Sequence, residues 1–385
     1  MRSPLNKRLF RELRGEFGKY LVIFILMTLT IGMVSGFLVA DGSMIQAYEE
    51  SFEKYNIENG HFRTEKKMNN AQIQDIEDLG IKLYENYYVE EALTNGSTMR
   101  IFKNRDEVNK VCLMKGKMPE KPGEIGIDRM YADNNDLSVG DEIESGGHTW
   151  KITGLVALSD YSALFSNNND SMFDSVKFGV SVVCPEEFDS YKADQLNYSY
   201  AWKYNTEPKN EKAEKDISED LMEDVAKEVT LEEFVPRYTN QAIIFTGDDM
   251  GGDRSMMIVL LYIIIVIMAF VFAITTNNTI RKEANVIGTL RASGYTRGEL
   301  IRHYMAAPVF VTFIGAIIGN IIGYTVGKDY CAGLYYGSYS LPTYVSISSD
   351  NGSADPHYAC GEFCAAVVQI KTITTEVPEK GLKQT

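Results

Sequence analysis

The sequence predicts an α+β membrane protein, with three transmembrane helices and a large α+β extracytoplasmic domain between the first and second of them. Two observations carry this prediction. Residues 20–40, 255–280 and 304–326 contain no charged side chain, although 24% of the 385 residues are charged. Each stretch can cross a hydrocarbon core of about 30 Å at about 1.5 Å per helical residue. The second observation is that strand-like and helix-like segments alternate through the polar stretch 41–254.

The distribution of charge predicts the orientation of the chain. Residues 1–19 carry six Lys or Arg against two acids, and residues 281–303 carry five against two. Residues 41–254 have 23 basic and 43 acidic residues, a net charge of −20. Short basic flanks stay in the cytoplasm, whereas a long domain crosses regardless of its charge. We therefore expect a protein of the cell (plasma) membrane. Its two basic stretches should lie on the cytoplasmic side, and its acidic stretch on the outer side.

A cleaved signal peptide is the alternative for the first span. Such a peptide has an apolar run of about 7–15 residues followed by a small-x-small cleavage site. Here the run extends over residues 20–40, and Leu38 disrupts the site that would end at Ala40. We therefore expect a retained multi-pass protein. Its predicted segments are a cytoplasmic basic amphipathic segment 1–19, span 20–40, outer domain with stalk 41–254, span 255–280, cytoplasmic loop 281–303, span 304–326, and outer loop and tail 327–385.

Helical spacing of apolar residues after the first span predicts that its helix continues outward as a stalk, through Met44, Ile45, Tyr48, Phe52 and Tyr55. In the outer domain we expect two subdomains with a junction near residues 157–170. The predicted elements are a helix capped by Asn70 and stopped by Gly80, strands at 81–90, 98–103, 110–114 and 148–157, strands in SVKFGVSVVC and NYSYAWKYN, and a helix at 207–230 with Ile217, Leu221 and Val225 as its apolar stripe.

The residues that catalysis or metal binding would need do not form recognisable motifs. There is no Gly-x4-Gly-Lys-Ser/Thr loop, no HExxH pair and no serine flanked by nucleophile-elbow glycines. Residues 133–144 superficially resemble a calcium loop, but Leu137 and Ser138 occupy a ligand position and the glycine position. We predict no catalytic, cofactor-binding or metal residues, and an acidic outer face that does not bind nucleic acid.

Two smaller features have structural interpretations. Asp248, Asp249 and Asp253, beside Gly251 and Gly252, are interpreted as a hinge at the membrane surface. Among the five cysteines, Cys112 and Cys184 could pair in the outer domain, but two cysteines do not make a disulfide framework and free thiols are expected. Cys360 and Cys364 lack the further ligands of a zinc site.

The cytoplasmic loop carries the most specific pattern. Arg281 to Ala292 is predicted to be a short helix with Ile287 and Leu290 on its apolar side, ended by Gly294 as a left-handed cap. Thr296 and Glu299 form a capping-box pattern that opens the next helix, which continues into the membrane. A short amphipathic helix held between two spans would suit a soluble motor; an ordinary loop is the alternative.

The same block resembles FtsX/MacB-like permeases of ABC transporters. In that family an Arg/Glu-rich stretch leads to Ile-Gly-x-Leu-Arg-Ala-x-Gly, which here is Arg281, Glu283, Ile287, Gly288, Leu290, Arg291, Ala292 and Gly294. Asn285 and Val286 separate the acid from Ile287, a departure from the usual Glu-Ile-Gly. The outer stretch MKGKMPEKPGEIGIDRMYADNNDLSVGDEI, followed by WKITGLV, is similar to the MacB-like periplasmic core, and the resemblance extends over roughly residues 1–345.

The resemblance implies a function and a set of partners. It implies a dimer with a second permease copy or a paralogue, an ABC ATPase subunit that binds ATP, and contact with membrane lipid. Closure of the ATPases would be transmitted through the loop to the outer domain, for export, extraction or signalling. A membrane-anchored extracellular receptor or sensor without an ATPase is the alternative, and a tethered extracellular enzyme is disfavoured by the missing catalytic motifs.

The third span and the tail raise a separate question. Gly315, Gly319 and Gly323 form a double GxxxG ridge suited to close helix packing. The family has a fourth span, but residues 343–385 contain no apolar run beyond about eight residues. We therefore expect a chain truncated or frame-shifted after about residue 345, with the glycine face and Asn320 short of a neighbouring helix.

Overall fold

The computed structural model describes residue 11 and residues 13–342, so the predictions for the tail and for most of the N-terminal segment lie outside the described residues. The described chain forms two units. One is helical and contains the described residues up to Ser43 together with Gly252–Gly333; the other contains Met44–Gly251 and the described residues from Leu334 onward.

The elements follow one another in chain order as α1 Phe17–Lys54, β1 Gly60–Thr64, α2 Asn70–Glu77, β2 Ile81–Glu85, β3 Tyr88–Ala92, β4 Thr98–Lys103, β5 Val111–Gly116, β6 Glu124–Asp128, α3 Arg129–Asn134, β7 Glu142–Ser145, β8 His148–Leu158, β9 Phe178–Val183, α4 Pro185–Phe188, β10 Tyr198–Tyr204, α5 Glu211–Glu228, β11 Leu231–Pro236, α6 Gln241–Lys282, α7 Ala284–Ala292, α8 Arg297–Ile322 and α9 Lys328–Ser338. A five-residue π-helical stretch, Gly323–Gly327, joins α8 to α9.

Three helical stretches in the described part of the chain are long and apolar enough to cross a membrane: Phe17–Lys54, Gln241–Met268 and Arg297–Ser338. They share a small core in which Ile23, Met27 and Ile31 of α1 meet Met268 and Ala316. Large apolar side chains on the outside of α6 remain exposed, as hydrocarbon-facing positions do. The predicted fold class is confirmed, and α1 continues past the span as the predicted stalk.

The second unit contains two β-sheets. A four-stranded antiparallel sheet has the order β11-β1-β10-β2. A seven-stranded mixed sheet has the order β3-β4-β9-β6-β8-β5, with β7 paired to β8. The chain leaves the first sheet after Glu85 and returns to it at Tyr198. The predicted single junction near residues 157–170 is therefore wrong, because long-range strand pairing, not sequence order, defines the sheets.

Aromatic side chains build the core of the four-stranded sheet. Tyr200 and Trp202, two residues apart on β10, point to the same face and are 1% and 0% exposed. The ring centroids of Trp202 and Phe234 lie 4.7 Å apart, and Phe62 stacks on Tyr200 at 5.6 Å. Gly60 leaves the space that Trp202 fills, since a Cβ there would lie 2.3 Å from the indole.

Local helix signals were predicted to within a residue. The N-cap of α2 is Asn69, not Asn70, and Gly80 follows the helix with φ +95°. In α5 the buried stripe is Ser218, Leu221 and Val225. Ile217 is 43% exposed, so its predicted burial is wrong. Ser218 takes the inward position because its hydroxyl is hydrogen-bonded to that of Tyr238, at 2.9 Å.

The acidic segments hold no metal group in the structure. Asp133 lies in α3, whereas Glu142 and Glu144 lie in β7, so residues 133–144 do not form one loop. Among the described residues no three His, Cys, Asp or Glu side chains could hold a metal ion together. Gly251 and Gly252 both lie within α6, and the interpretation of this segment as a hinge stays a prediction. Cys112 and Cys184 are free thiols.

Residues 116–124, with the pattern Gly-x-x-Pro-x-x-x-x-Glu, connect β5 to β6. Gly116 has φ +80°, and a Cβ at this position would lie 2.3 Å from the carbonyl oxygen of Thr153. The carboxylate of Glu124 accepts hydrogen bonds from the backbone N–H groups of Glu120 (3.0 Å) and Lys121 (3.2 Å), which lower its pKa. The motif is therefore explained by backbone geometry.

A buried charge network lies where the stalk enters the outer domain. Nδ1 of His61 lies 2.6 Å from Oε1 of Glu58, whose other oxygen accepts a hydrogen bond from Asn109 at 2.6 Å. Burial alone would lower the pKa of His61, but the Glu58 carboxylate outweighs it and raises that pKa. For Glu58, His61 and Asn109 outweigh burial and lower the pKa. Arg105 and Asp160 form a bidentate pair nearby, at 2.7 Å for both bonds.

We expect Gly116→Ala to destabilise the protein more than Gly123→Ala. Gly123 has nearly the same φ, +81°, but open space where a Cβ would lie. The control should lose about 1 kcal/mol from backbone strain, and Gly116→Ala about 2 kcal/mol more from the clash. Denaturant unfolding of the purified full chain, followed by circular dichroism, measures both. Equal losses would contradict the structural explanation of this glycine.

We expect the His61–Glu58 pair to stabilise the fold in a defined pH window. Because the pKa of folded His61 is raised, its contribution is complete below 6.5, the ordinary value, and is lost as the pH rises through the folded value. Because the pKa of folded Glu58 is lowered, its contribution is complete above 4.5 and is lost as the pH falls. The free energy of unfolding lost in His61→Gln, about 1 kcal/mol, should therefore be greatest between these values. A loss independent of pH would show that the pair is not ionic.

Candidate coupling site

The loop between the second and third spans contains the short helix α7, but its start differs from the prediction. Arg281 belongs to the last turn of α6, and Glu283, with φ −100° and ψ 12°, separates α6 from α7. The predicted continuous helix from Arg281 to Ala292 is therefore wrong. At the other end Gly294 has φ +93°, and the N–H of Tyr295 donates to the carbonyl of Leu290 at 3.2 Å. The predicted left-handed cap is confirmed.

The capping box that opens α8 is also confirmed. The N–H of Glu299 donates to Oγ1 of Thr296 at 3.3 Å, and the N–H of Thr296 donates to Oε2 of Glu299 at 2.9 Å. Two backbone N–H groups that lack a partner within the helix are thereby hydrogen-bonded. This fixes the point at which the chain turns from the loop into the third span.

Glu283 has an intramolecular partner that sequence reasoning did not identify. The hydroxyl of Tyr304 on α8 donates to Oε2 of Glu283 at 2.5 Å. The bond ties the break between α6 and α7 to the first turns of the next span. Glu283 is thus both the N-cap residue of α7 and a partner of α8.

The surface of α7 is accessible along its whole length. No residue of this helix is buried within the chain. Ile287, Leu290 and Arg291 lie three or four residues apart and therefore share one face, and Val286 beside them is 38% exposed. A Cβ on Gly288 would meet no atom within 4 Å. The structure thus brings together Ile287, Leu290 and Arg291 as an apolar patch with one cation.

The glycines of the third span lie against α1. A Cβ on Gly319 would lie 2.8 Å from the carbonyl oxygen of Thr28, and one on Gly323 would lie 2.6 Å from Oγ of Ser35. Gly315 is looser, with Met27 at 3.3 Å. The expectation that this face would lack a neighbour without a fourth span is wrong, because α1 already covers it. Asn320 also needs no outside partner, since its Nδ2 donates to Ala316 O in the same helix at 3.0 Å.

Three further glycines complete this contact, and sequence reasoning missed them. A Cβ on Gly36 would lie 2.7 Å from the carbonyl carbon of Gly327, and one on Gly32 would lie 3.2 Å from the carbonyl oxygen of Gly319. Gly32 and Gly36 are spaced as a GxxxG pair, as are Gly323 and Gly327. That spacing could have predicted the contact from sequence, because small residues four positions apart let two helix backbones approach closely.

The outer domain contains a cleft of about 600 Å³ between its two sheets. One wall is built around Arg100, whose guanidinium lies 4.5 Å from the ring centroid of Tyr88 and 5.1 Å from that of Phe178. Arg100 donates to Glu90 and to the hydroxyl of Tyr161, both at 2.6 Å. The charge of Arg100 is thus paired with the neighbouring Glu90. The cleft has both polar and aromatic lining residues.

Comparison with known proteins finds a family match for the region that contains the loop. No curated protein matches the chain. Among solved structures, the periplasmic region of MacB from Actinobacillus actinomycetemcomitans is 11% identical, with a TM-score of 0.26, and the match covers 44% of this chain and 85% of that one. The extracellular domain of the noncanonic ABC-type transporter YknZ from Gram-positive bacteria is 10% identical, with a TM-score of 0.25 and coverage of 44% and 92%. Residues 258–350 match the family model of the FtsX-like permease C-terminal domain, which confirms the predicted resemblance to these permeases.

Proposed function

We propose that this chain is the permease subunit of an FtsX/MacB-like ABC transporter, which transmits ATP-driven movement of a separate ATPase to its outer domain. The observation that carries the proposal is the patch of Ile287, Leu290 and Arg291 on α7, in which Arg291 is exposed and the two apolar side chains remain partly accessible. An apolar stripe with one cation suits a groove on a soluble partner. ATP would be bound by that partner and not by this chain.

The anchoring of α7 supports a mechanical role. Hydrogen bonding of Tyr304 to Glu283 fixes one end of the loop, and the Gly294 cap with the Thr296–Glu299 box fixes the other. A force applied to the patch therefore moves the spans on both sides of it, since little slack remains in the connections. An unanchored loop would absorb the same displacement by rotating its backbone.

Long helices and close helix contacts support the proposed transmission. The third span lies against α1 through glycines, so displacement of one helix displaces the other. α1 is a single helix of 38 residues, about 57 Å at about 1.5 Å per residue. It ends at Lys54, and the strand β1 of the outer domain begins at Gly60. We infer that α1 acts as the rod of the transmission.

The remaining partners follow from the same proposal. Two copies of the permease, or one copy and a paralogue, would be held by two ATPases, and the exposed apolar side chains of α6 would face lipid or the second copy. Nucleic acid is not a proposed partner, since the outer domain is acidic.

A receptor or sensor without an ATPase is the second candidate. The cleft of about 600 Å³ in the outer domain favours it, because ligand sites are concave recesses with a few fixed polar groups. Such a receptor needs the spans and the cleft but not the patch on α7. Association of the purified chain with an ABC ATPase separates the two candidates.

We expect Leu290→Asp to abolish stimulation of the ATPase by the permease, with a loss of at least about tenfold, while membrane insertion is unchanged. A carboxylate in the middle of the patch would be buried against the partner without a counter-charge. Asn285→Asp is the matched control, because it introduces the same charge on the opposite face of α7. Steady-state ATP hydrolysis by the reconstituted complex is the measurement, and full stimulation in Leu290→Asp would show that the loop makes no such contact.

We expect the outer domain and the loop to lie on opposite sides of the membrane. In intact cells, an impermeant thiol reagent should label a chain carrying Asn135→Cys and should leave a chain carrying Ser293→Cys unlabelled. Permeabilised cells provide the control, since Ser293 is exposed and Asn135 partly exposed in the structure, and both should then react. Labelling at position 293 but not 135 in intact cells would reverse the proposed topology.

A further inference from the structure

The chain that follows the third span is buried where it leaves α9. We call residues 334–342 the strap. Four of its side chains are nearly inaccessible: Tyr335, Tyr339, Ser340 and Leu341, at 5%, 4%, 1% and 3% exposure. The strap belongs to the same compact unit as residues 44–251, although more than 80 residues of helical chain separate the two in sequence. Its burial therefore comes from contacts with the outer domain.

Arg129, the first residue of α3, binds the end of α9. Its Nη2 donates to the carbonyl oxygens of Tyr336 at 2.7 Å and Tyr339 at 2.6 Å, and its guanidinium lies 5.5 Å from the ring centroid of Tyr336. The last carbonyls of a helix have no partner within the helix and carry its partial negative charge. A guanidinium supplies both the missing hydrogen-bond donors and a positive charge. Arg129 is thus a C-cap for α9 that comes from another part of the chain.

Asp128, the neighbouring residue, binds the next position of the strap. The hydroxyl of Ser340 donates to Oδ2 of Asp128, while Oδ1 accepts from the N–H groups of Met130 (2.8 Å) and Tyr131 (3.2 Å) at the start of α3. Burial raises the pKa of Asp128 to about 6, and the hydrogen bond from Ser340 opposes that rise. The serine therefore replaces water on a buried carboxyl group.

Two further contacts hold the strap from other sides. The N–H of Ser340 donates to the carbonyl of Ser162, in the loop after β8, at 2.8 Å. The hydroxyl of Tyr339 donates to Asp249 near the start of α6. The strap is consequently bound by three separate elements of the outer domain.

We propose that the strap is a third mechanical attachment, which fastens the outer end of the third span to the outer domain. Through α1 and α6 the chain enters and leaves the domain, and through the strap the domain also follows α8 and α9. Asp128 and Arg129 are its positioning residues. The attachment consists of the contacts described above, and its use in transmission rests on the proposed function.

The polar bonds of the strap suit a mechanical attachment better than a segment that only covers an apolar surface. The charge-assisted hydrogen bonds of the strap join the guanidinium of Arg129 to two backbone carbonyls in a partly buried position. A merely covering segment would need apolar burial only. Asp133 offers a way to separate these two roles, because it pairs with Nη1 of Arg129 at 2.8 Å and is itself exposed.

Thiol labelling of the full chain, with its five cysteines replaced by serine, tests the attachment. A cysteine introduced by Ser340→Cys should react at least about tenfold more slowly than one introduced by Ser138→Cys, an exposed position of the outer domain. Adding Arg129→Ala should accelerate the reaction at position 340 about tenfold, whereas Asp133→Ala should leave it slow. Equal rates at 340 and 138, or equal effects of the two added substitutions, would overturn the attachment.

Distance measurements on the complex with the ATPase test transmission. Spin labels introduced by Ser138→Cys and Ser293→Cys should change their separation when a non-hydrolysable ATP analogue is added. Arg129→Ala should remove most of that change while stimulation of ATP hydrolysis persists, and Asp133→Ala should preserve both. An unaltered change in Arg129→Ala would overturn the role of the strap. No change in the unmodified background would overturn the proposed function and the transmission with it, whereas the labelling result would still decide the attachment.

Discussion

The contact of α1 with the third span is the constraint on which the helical unit depends. Between helices in hydrocarbon there is no hydrophobic driving force, so association rests on close van der Waals contact and polar bonds. Here the contact is made backbone to backbone: Gly36 faces Gly327, and Gly319 faces the carbonyl of Thr28. Nothing larger than a hydrogen atom fits at these positions. The two helices are therefore held at a separation that side-chain rotamers cannot alter.

This rigidity gives the small polar bonds around the loop their importance. Because α1 and α8 cannot slide apart cheaply, the orientation of α7 is determined where α8 begins and where Glu283 meets Tyr304. The helix is left with every side chain accessible and both ends fixed. The same logic recurs at the other end of the third span, where Arg129 satisfies the last carbonyls of α9. Both ends of this span are thus secured by hydrogen bonds that bridge distant parts of the chain.

What could be predicted from sequence was local or periodic. Gly294 and the Thr296–Glu299 pair were identified because caps depend on residues within one turn of the helix. The spans were identified because hydrocarbon demands long uncharged runs. The break at Glu283 and the cap from Arg129 could not be predicted, because each depends on a residue brought near by the fold: Tyr304 in one case and Tyr339 in the other. Ser218 is buried where Ile217 was predicted to be, for a similar reason: its hydroxyl is hydrogen-bonded to that of Tyr238.

The pairing of β1 with β11 has a consequence for how the outer domain bears load. β1 follows the stalk α1, β11 precedes α6, and the two strands are antiparallel, with Gly60 opposite Pro236 at the end where both helices attach. Pulling the two helices apart would load the strand hydrogen bonds one after another, as in opening a zipper, whereas moving them together loads none. Separating α1 from α6 would therefore cost less than displacing both together, and neither of the two loaded strands belongs to the seven-stranded sheet.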